Sequence, residues 1–232
     1  MYEGAFKRSA HRQVLVVLSG LDRAFLENAK CWFGGGTRIV LELSEYRESK
    51  HIDFLSSDRD GYRQLREVVT ATSLGGILQP GLSLAREVRA DQYGIRTFIE
   101  TEGVSVKFEV VREARIDVEG EDVPGIPVAC LTRRYCFAEK FLANADRGLD
   151  ASTLSRDLVD LAFMIEGWSK GDAQAGMVIA KSAYGDSIRR SLAAVISKVK
   201  EDRVYRNRCI DGLGITDRKA LTAGIRALAT LL

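Results

Sequence analysis

Hydrophobic and polar positions recur with two different periods along this sequence of 232 residues. Apolar side chains in residues 12–29 return at helical spacing, which predicts one amphipathic helix. Residues 31–33 form a short apolar segment that predicts a strand, and residues 34–36 are three glycines that predict a turn. Thr37 is the predicted N-cap of a helix over residues 38–43.

The middle of the sequence alternates in the manner of strands. Residues 51–57 predict a second strand, followed by a helix over residues 58–69 and a glycine-rich loop over residues 74–81. Two further strands are predicted over residues 96–100 and 104–111, with a turn at Glu102 and Gly103 between them.

An acidic segment with two prolines, residues 118–127, marks the predicted domain boundary. Beyond it the period is helical, with helices predicted over about 137–145, from 154, near 173–200 and near 217–232. The sequence therefore predicts an α+β fold. Residues 1–120 form a core with a mixed sheet and flanking helices, residues 121–232 form a helical domain, and the active cleft is expected between them.

Strand alternation displays two carboxylates. His51 and Asp53 share one face of their predicted strand, opposite the apolar Ile52 and Phe54, and Glu109 likewise faces away from the apolar side of the later strand. Mg²⁺ takes few protein carboxylates and completes its shell with water and substrate phosphates, so such a pair suits one divalent cation. The alternative is that both carboxylates are solvated surface groups.

The glycine turn has two interpretations as well. A strand that passes through glycines into a helix leaves backbone N–H groups at the positive end of the helix dipole, where they suit a polyphosphate. A glycine turn without a ligand is equally consistent with the pattern. The sequence matches neither the P-loop nor the spaced-glycine dinucleotide motif, so both of those classes are excluded.

Bulk properties narrow the class of protein further. No apolar run reaches the roughly 18 to 20 residues of a membrane helix, and the start of the sequence lacks a signal peptide, so a cytoplasmic protein without membrane association is expected. Four widely spaced cysteines suggest neither a zinc site nor disulfides. Residues 170–232 carry 12 Lys and Arg against 6 Asp and Glu. The basic region 189–208 is therefore either a contact surface for RNA or a solvated helix face.

Three segments in order resemble a known family. GGGTRIVLELSEYRESKHIDF resembles the Gly-Gly-Thr and Arg-x-Ser-x-Asp-Ile-Asp signature of the nucleotidyltransferase superfamily, in particular its AbiEii/AbiGii branch of toxin-antitoxin and phage-abortive proteins. VSVKFEVV looks like the strand that bears the third carboxylate of that superfamily. AEKFLANADRGLDASTLSRDLVDLAFM is similar to the helical Lys-Leu-x-x-Leu-x-x-Arg and Lys/Arg-Asp-x-x-Asp motif of the branch. Together these segments lie within residues 30–166.

The resemblance implies roles for individual residues. It assigns phosphate-binding turn positions to Gly35 and Gly36, with Thr37 or Ser49 assisting. It makes Asp53 and Glu109 the ligands of Mg²⁺ or Mn²⁺. Three residues of the helical half complete the implied nucleotide site: Lys140 as a phosphate contact, with Asp157 and Asp160 supporting the nucleotide or ordering the helices. Ion pairing on a helix surface is the alternative for these three.

His51 departs from the family pattern. It stands where the family has the first Asp of its Asp-x-Asp pair, and a neutral imidazole lacks the charge and the hard oxygen that Mg²⁺ prefers. Three outcomes stay open: a one-metal or Mn²⁺-tolerant enzyme, a catalytic His51 that acts on the incoming hydroxyl, and a degenerate site without turnover. The alternative without a catalytic role is that the His51 side chain forms a hydrogen bond with Asp53.

The resemblance implies metal-dependent transfer of a nucleoside monophosphate from an NTP to a hydroxyl of RNA, such as a tRNA end, or of a protein. The setting it implies is a toxin with a cognate antitoxin as partner. The alternative function is a non-catalytic module that binds nucleotide or RNA through a degenerate site. The sequence does not choose the NTP, the acceptor, the antitoxin or the oligomeric state.

Overall fold

The computed structural model describes residues 6–232. The chain folds into two compact units. The first holds the residues up to Leu41 together with Ser49–Thr132, and the second holds Glu42–Glu48 together with Arg133–Leu232. Two short strands, Gly120–Glu121 and Cys130–Leu131, belong to the first unit, and the domain boundary near residue 120 stays a prediction. The short segment Glu42–Glu48 joins the helical unit although it lies early in the sequence.

The first unit is built on one mixed sheet of eight strands in the order β3-β5-β6-β2-β1-β8-β7, with β4 also paired to β5. The strands are β1 (Trp32–Gly34), β2 (Ile52–Ser56), β3 (Ser83–Leu84), β4 (Arg89–Ala90), β5 (Gly94–Thr101), β6 (Val104–Arg112), β7 (Gly120–Glu121) and β8 (Cys130–Leu131). β2 runs parallel to β6 and β1 parallel to β8, while the other pairs are antiparallel. This mixed sheet with flanking helices confirms the predicted α+β class.

Alternation along the strands separates a core face from a polar face. Phe33, Phe54 and Phe108 lie on neighbouring strands and are completely buried, with ring centroids 5.6 Å and 5.9 Å apart along the row. Helix α1 (Ser9–Ser19) packs against β5 and β6 and contributes buried residues such as Leu15 and Leu18. Because side chains alternate, the residues between these core positions project from the opposite face of the sheet.

Four helices belong to this part of the sequence: α1 (Ser9–Ser19), α2 (Arg23–Asn28), α3 (Gly35–Glu42) and α4 (Arg59–Val68). The single helix predicted over residues 12–29 is wrong, because Gly20 ends α1 and the Asp22 carboxylate caps α2 by accepting the Phe25 N–H at 2.8 Å. The helix predicted after residue 58 is confirmed. Asp58 caps it by accepting the Gly61 N–H at 2.7 Å.

The second unit is helical, as predicted for the later part of the sequence. Its helices are α5 (Arg133–Arg147), α6 (Arg156–Gly167), α7 (Lys170–Tyr184), α8 (Ser187–Glu201), α9 (Arg203–Gly212) and α10 (Arg218–Ala229). The sequence predicted one helix near 173–200, and the structure divides it at Gly185, whose φ of +61° ends α7. α9 was not predicted.

Two further observations concern the cysteines and the helices. All four cysteines are buried thiols, and burial raises the pKa of Cys31 well above its usual value, so this thiol is inert. Across residues 6–232, no helix is long and apolar enough to cross a membrane.

Candidate active site

Three neighbouring strands of the first unit bring the central site residues into one row. Gly34 at the end of β1 lies opposite Asp53 of β2, and Asp53 lies beside Glu109 of β6. Residues paired across neighbouring strands project from the same face. Asp53 and Glu109 therefore share the polar face of the sheet, opposite the phenylalanine row. The structure thus brings together the two carboxylates that the alternation pattern singled out.

Gly35 lies directly against the Asp53 side chain. It is the first residue of α3 and has φ +67°, a left-handed conformation that favours glycine. A Cβ atom at this position would come within 2.5 Å of Asp53 Oδ2 and 2.9 Å of Asp53 Cβ. Only a residue without a side chain therefore lets the beginning of α3 approach this carboxylate so closely.

Gly35→Ala is expected to disturb the site as well as the fold. The left-handed backbone should cost roughly 1 to 2 kcal/mol of unfolding free energy, and the new methyl group should displace the Asp53 carboxylate. Gly103→Ala is the matched control, because Gly103 also has a positive φ, +75°, yet has no atom within 4 Å of the added Cβ. Urea unfolding should show similar losses for both variants, whereas activity at this site should fall only in Gly35→Ala. Equal activity in the two variants would contradict this account of Gly35.

Two cations hold the carboxylate of Glu109. Arg96 Nε donates to Oε1 at 2.6 Å and Lys107 Nζ donates to Oε2 at 2.7 Å. Burial opposes ionisation of Glu109, but these two hydrogen bonds outweigh it and lower the pKa below its ordinary value. Glu109 is consequently an ionised acceptor at neutral pH, and it shares the polar face with two basic side chains.

Arg96 and Lys107 were not singled out from the sequence, although a signal for both was present. The two-residue turn at Glu102 and Gly103 pairs Thr101 with Val104, and counting back along the hairpin then places Arg96 opposite Glu109. Lys107 lies two residues before Glu109 on the same strand, so alternation alone places it on the same face.

The side chains of Thr37 and Ser49 contact each other next to the residue that precedes β2. The Thr37 hydroxyl donates to the His51 carbonyl oxygen and lies 2.8 Å from the Ser49 hydroxyl, while the Ser49 N–H donates to His11 Nε2 at 3.2 Å. The predicted N-cap role of Thr37 is wrong, because α3 begins two residues earlier, at Gly35. Instead, the buried Thr37 side chain anchors the backbone that leads into Asp53.

Gly36, Thr37 and Ser49 therefore lie in the same unit as Asp53, and their contact with nucleotide stays a prediction. Gly36 is the second residue of α3, whose first N–H groups have no partner within the helix. The His51 side chain is exposed, and strand alternation places it on the face of Asp53.

The second unit contains a buried cluster of ion pairs, built around the carboxylates of Asp157 and Asp160 in α6. Lys140 of α5 donates to Asp157 Oδ1 at 2.9 Å and lies 2.6 Å from Asp160 Oδ2. Arg147 Nε donates to Asp157 Oδ2 at 2.7 Å. Lys140, Asp157 and Asp160 are thus brought together away from solvent, rather than on a helix surface.

The segment Glu42–Glu48 supplies the remaining partners of this cluster. Arg47 binds Asp160 through two hydrogen bonds, Nε to Oδ1 at 2.7 Å and Nη2 to Oδ2 at 2.8 Å, and the Tyr46 hydroxyl donates to Oδ1 at 2.6 Å. The Tyr46 ring also stacks on Phe163, with centroids 4.0 Å apart. The arginine of the early signature and the second aspartate of the helical motif are therefore direct partners.

Buried charges shift the pKa values of this cluster in a consistent direction. Burial disfavours the ionised forms of Asp157 and Asp160. Lys140 and Arg147 outweigh burial at Asp157 and lower its pKa below the ordinary range. Arg47 and Lys140 do the same for the pKa of Asp160. Burial likewise opposes the charge on Lys140, and the two carboxylates overcome it and raise its pKa. All of these groups stay ionised at neutral pH. Sequence reasoning missed Tyr46 and Arg47, although Arg47 is the arginine of the quoted signature.

The basic region 189–208 is only partly available for a ligand. Lys198 Nζ donates to the Leu149 carbonyl oxygen at 2.9 Å and lies over the Tyr205 ring, and Arg206 donates to the Lys200 carbonyl oxygen at 2.9 Å. These two cations thus stabilise the packing of α8 and α9. Arg189 and Arg190 are exposed on α8. RNA contact through this region stays a prediction.

The donors in the first unit fit a particular kind of metal site. Within residues 6–232, no group of three or more His, Cys, Asp or Glu side chains is placed to hold a metal ion. Mg²⁺ is commonly bound by one or two carboxylates together with water and substrate phosphates. The Asp53 and Glu109 pair therefore suits a cation that arrives with a nucleotide, rather than one held by a complete protein shell.

The chain is similar to known proteins in both sequence and fold. The family model for the nucleotidyl transferase AbiEii toxin of type IV toxin-antitoxin systems matches residues 17–217. The crystal structure of a candidate nucleotidyltransferase from H. pylori has a TM-score of 0.51 and 15% identity, over 95% of this chain and 91% of that chain. This second likeness supports the fold alone.

Two further solved structures have TM-scores below 0.5. A crystal structure of a Helicobacter pylori protein has a TM-score of 0.49 and 15% identity over 97% of this chain and 91% of that chain. An antigenic nucleotidyltransferase-like protein from Paracoccidioides brasiliensis has a TM-score of 0.42 and 13% identity over 94% of both chains. No curated protein matches the sequence. Because the family model spans most of the sequence and the fold agrees, the chain belongs to the AbiEii family of nucleotidyltransferase toxins.

Proposed function

We propose that the chain transfers a nucleoside monophosphate from an NTP to an acceptor hydroxyl, at the polar face of the first unit, with pyrophosphate as the leaving group. The observation that carries this proposal is the row formed by Gly35, Asp53 and Glu109. It places a helix N-terminus, whose first N–H groups have no partner within the helix, beside two carboxylates. These are the donor types that a triphosphate and its divalent cation require.

The residues of the chain have separable parts in this proposal. The N–H groups at the start of α3 would bind phosphate oxygens, favoured by the helix dipole, and Gly35 would keep that approach open. Asp53 and Glu109 would hold Mg²⁺ or Mn²⁺, which when bound neutralises phosphate charge and helps to orient the triphosphate. Arg96 and Lys107 keep Glu109 ionised. Thr37 and Ser49 would fix the backbone before Asp53.

His51 would serve the acceptor rather than the metal. Its imidazole is exposed on the face of Asp53, and its carbonyl is anchored by Thr37. An imidazole is a side chain well suited to accept the proton of an attacking hydroxyl. The acceptor in our proposal is a hydroxyl of RNA, such as a tRNA end, or of a protein, and transfer to it would be the toxic act that a cognate antitoxin restrains.

The rival function is a binding module whose catalytic site is degenerate. The specific observation in its favour is that both oxygens of Glu109 already accept hydrogen bonds from cations, while His51 replaces a further acidic ligand. Such a module would bind nucleotide or RNA without turnover.

Substitution of His51 separates the two functions. The wild type, incubated with α-labelled NTPs, Mg²⁺ or Mn²⁺, and total RNA or protein, is expected to label an acceptor. His51→Asn should lower this transfer by about 10²- to 10⁴-fold, the usual contribution of a general base. His51→Asp is its charged counterpart of similar size. An inert wild type combined with transfer by His51→Asp would establish the degenerate site. No transfer together with no binding of NTP or RNA by any form would refute both functions.

A further inference from the structure

One pocket in the first unit, separate from the candidate active site, has a strongly cationic lining. It encloses about 380 Å³ between α4, the turn that joins β4 to β5, and the end of β6. Its lining consists of Arg59, Tyr62, Arg63, Arg66, Glu67, Gln92 and Arg112. Arg112 lies three residues beyond Glu109, so strand alternation turns it toward the opposite face of the sheet. None of the lining residues belongs to the candidate active site.

The arginines of α4 form one stripe with little compensating charge. Arg59, Arg63 and Arg66 are spaced by four and then three residues, which places them on the same side of the helix. Arg63 pairs with two acidic neighbours on its own helix, Asp60 and Glu67. In contrast, Arg59, Arg66 and Arg112 make no ion pair within the part of the chain that the structure describes.

This arrangement is unfavourable for the helix by itself. Like charges three and four residues apart repel each other on a helix surface. Arg59 is moreover the first residue of α4, where the helix dipole disfavours a positive charge. A bound anion would remove both penalties, so the stripe has the properties of a ligand surface rather than of a solvated helix face.

A fixed turn at the pocket carries an exposed aromatic residue, Tyr93, directly after the lining residue Gln92. The Asp91 carboxylate accepts the N–H groups of Tyr93 and Gly94 at 2.7 Å and 3.0 Å. The Arg112 N–H donates to the Tyr93 carbonyl oxygen at 3.0 Å, and the Tyr62 hydroxyl donates to the Asp91 carbonyl oxygen at 2.7 Å. These hydrogen bonds fix the backbone of the turn, while Tyr93 remains 65% exposed.

We propose that this pocket binds a single-stranded nucleic acid, with phosphates on Arg59, Arg66 and Arg112 and a base stacked on Tyr93. Guanidinium groups match phosphate oxygens through paired hydrogen bonds, and an exposed aromatic ring beside them is the usual platform for an unpaired base. An acidic protein surface fits less well, because protein interfaces combine a polar rim with an apolar core. Among the described residues from 59 to 112, the exposed large apolar side chains are Tyr93 and Val104, which is at the far end of β6.

The surface is independent of the proposed transfer reaction and can be tested by binding alone. Fluorescence anisotropy would follow a labelled RNA of about twelve nucleotides, and a DNA of the same sequence, on the full chain at several salt concentrations. Arg59→Gln/Arg66→Gln is expected to weaken RNA binding at least about tenfold and to reduce the salt slope by about 1.4, since two phosphate contacts are lost. Tyr93→Ala should weaken binding about 5- to 100-fold. RNA and DNA share phosphates and bases, so binding of either with this dependence supports the site.

Arg218→Gln/Arg226→Gln is the matched control, because it removes the same charge from two exposed arginines of α10, outside the basic region 189–208. It should change RNA affinity by less than about threefold, as expected for screened charges away from the ligand. Three results would overturn the proposal: no RNA or DNA binding by the wild type, a loss confined to the α10 variant, or full displacement of RNA by polyglutamate together with unchanged binding in Tyr93→Ala. The last result would identify the pocket as a site for an acidic protein.

Discussion

Asp53→Asn is expected to lower nucleotidyl transfer by a factor on the order of 10³ or more. Asparagine keeps the size of the side chain beside Gly35 but removes the charge that the proposed cation requires. Preorganised electrostatic groups of this kind commonly contribute 10²- to 10³-fold each, and the loss of a metal ligand adds the loss of the cation itself. The measurement is the initial rate of label incorporation from an α-labelled NTP at saturating Mg²⁺.

The control for this substitution is Asp117→Asn, which removes the same charge from an exposed position in the same unit. It should transfer label at the rate of the wild type. Thermal unfolding of both variants distinguishes a lost metal ligand from a lost fold. Transfer by correctly folded Asp53→Asn within tenfold of wild type would remove Asp53 from the reaction.

Asp160→Asn is expected to have the largest effect on stability, about 3 to 5 kcal/mol of unfolding free energy. Asp160 is completely buried and accepts hydrogen bonds from Tyr46 and Arg47, while the Lys140 ammonium lies 2.6 Å from it. Neutralising it leaves the charge of Arg47 without its carboxylate inside the second unit, while Lys140 keeps only Asp157. Urea unfolding followed by circular dichroism measures this loss.

Asp186→Asn gives the comparison within the same unit. Asp186 pairs with Lys181 at 2.8 Å, but 70% of its side chain is exposed. Exposed pairs contribute about 0 to 1 kcal/mol, so this variant should unfold almost like the wild type. A double-mutant cycle with Arg47→Met then assigns the coupling to the Arg47 and Asp160 pair. Equal losses in Asp160→Asn and Asp186→Asn would show that the buried cluster does not stabilise the unit.

The central strands and their carboxylates were predictable because local rules determine them. Alternation places Asp53 and Glu109 opposite the buried phenylalanines, and the turn at Glu102 and Gly103 sets the hairpin register. The three glycines marked the junction between β1 and α3, but α3 begins at Gly35 and not at residue 38 as predicted. Thr37 has the features of an N-cap, and only the long-range bonds to Ser49 and His51 reveal its buried role.

The features that were missed depend on contacts between residues distant in sequence. Arg47 and Asp160 are 113 residues apart, and nothing in the polar segment after α3 indicates that Tyr46 and Arg47 are buried. The cationic pocket combines α4 with the end of β6, which the helical spacing of its arginines alone does not predict. Gly185 lies inside the helix predicted near 173–200, whereas its positive φ ends α7.

The most direct test of our central claim is the location of a bound cation. Crystals soaked with Mn²⁺ and a non-hydrolysable NTP should show an anomalous scattering peak contacted by both Asp53 and Glu109, with the triphosphate at the start of α3. The same soak of Asp53→Asn should show no such peak. A nucleotide bound elsewhere, or a cation that contacts neither carboxylate, would contradict the site proposed for this AbiEii family member.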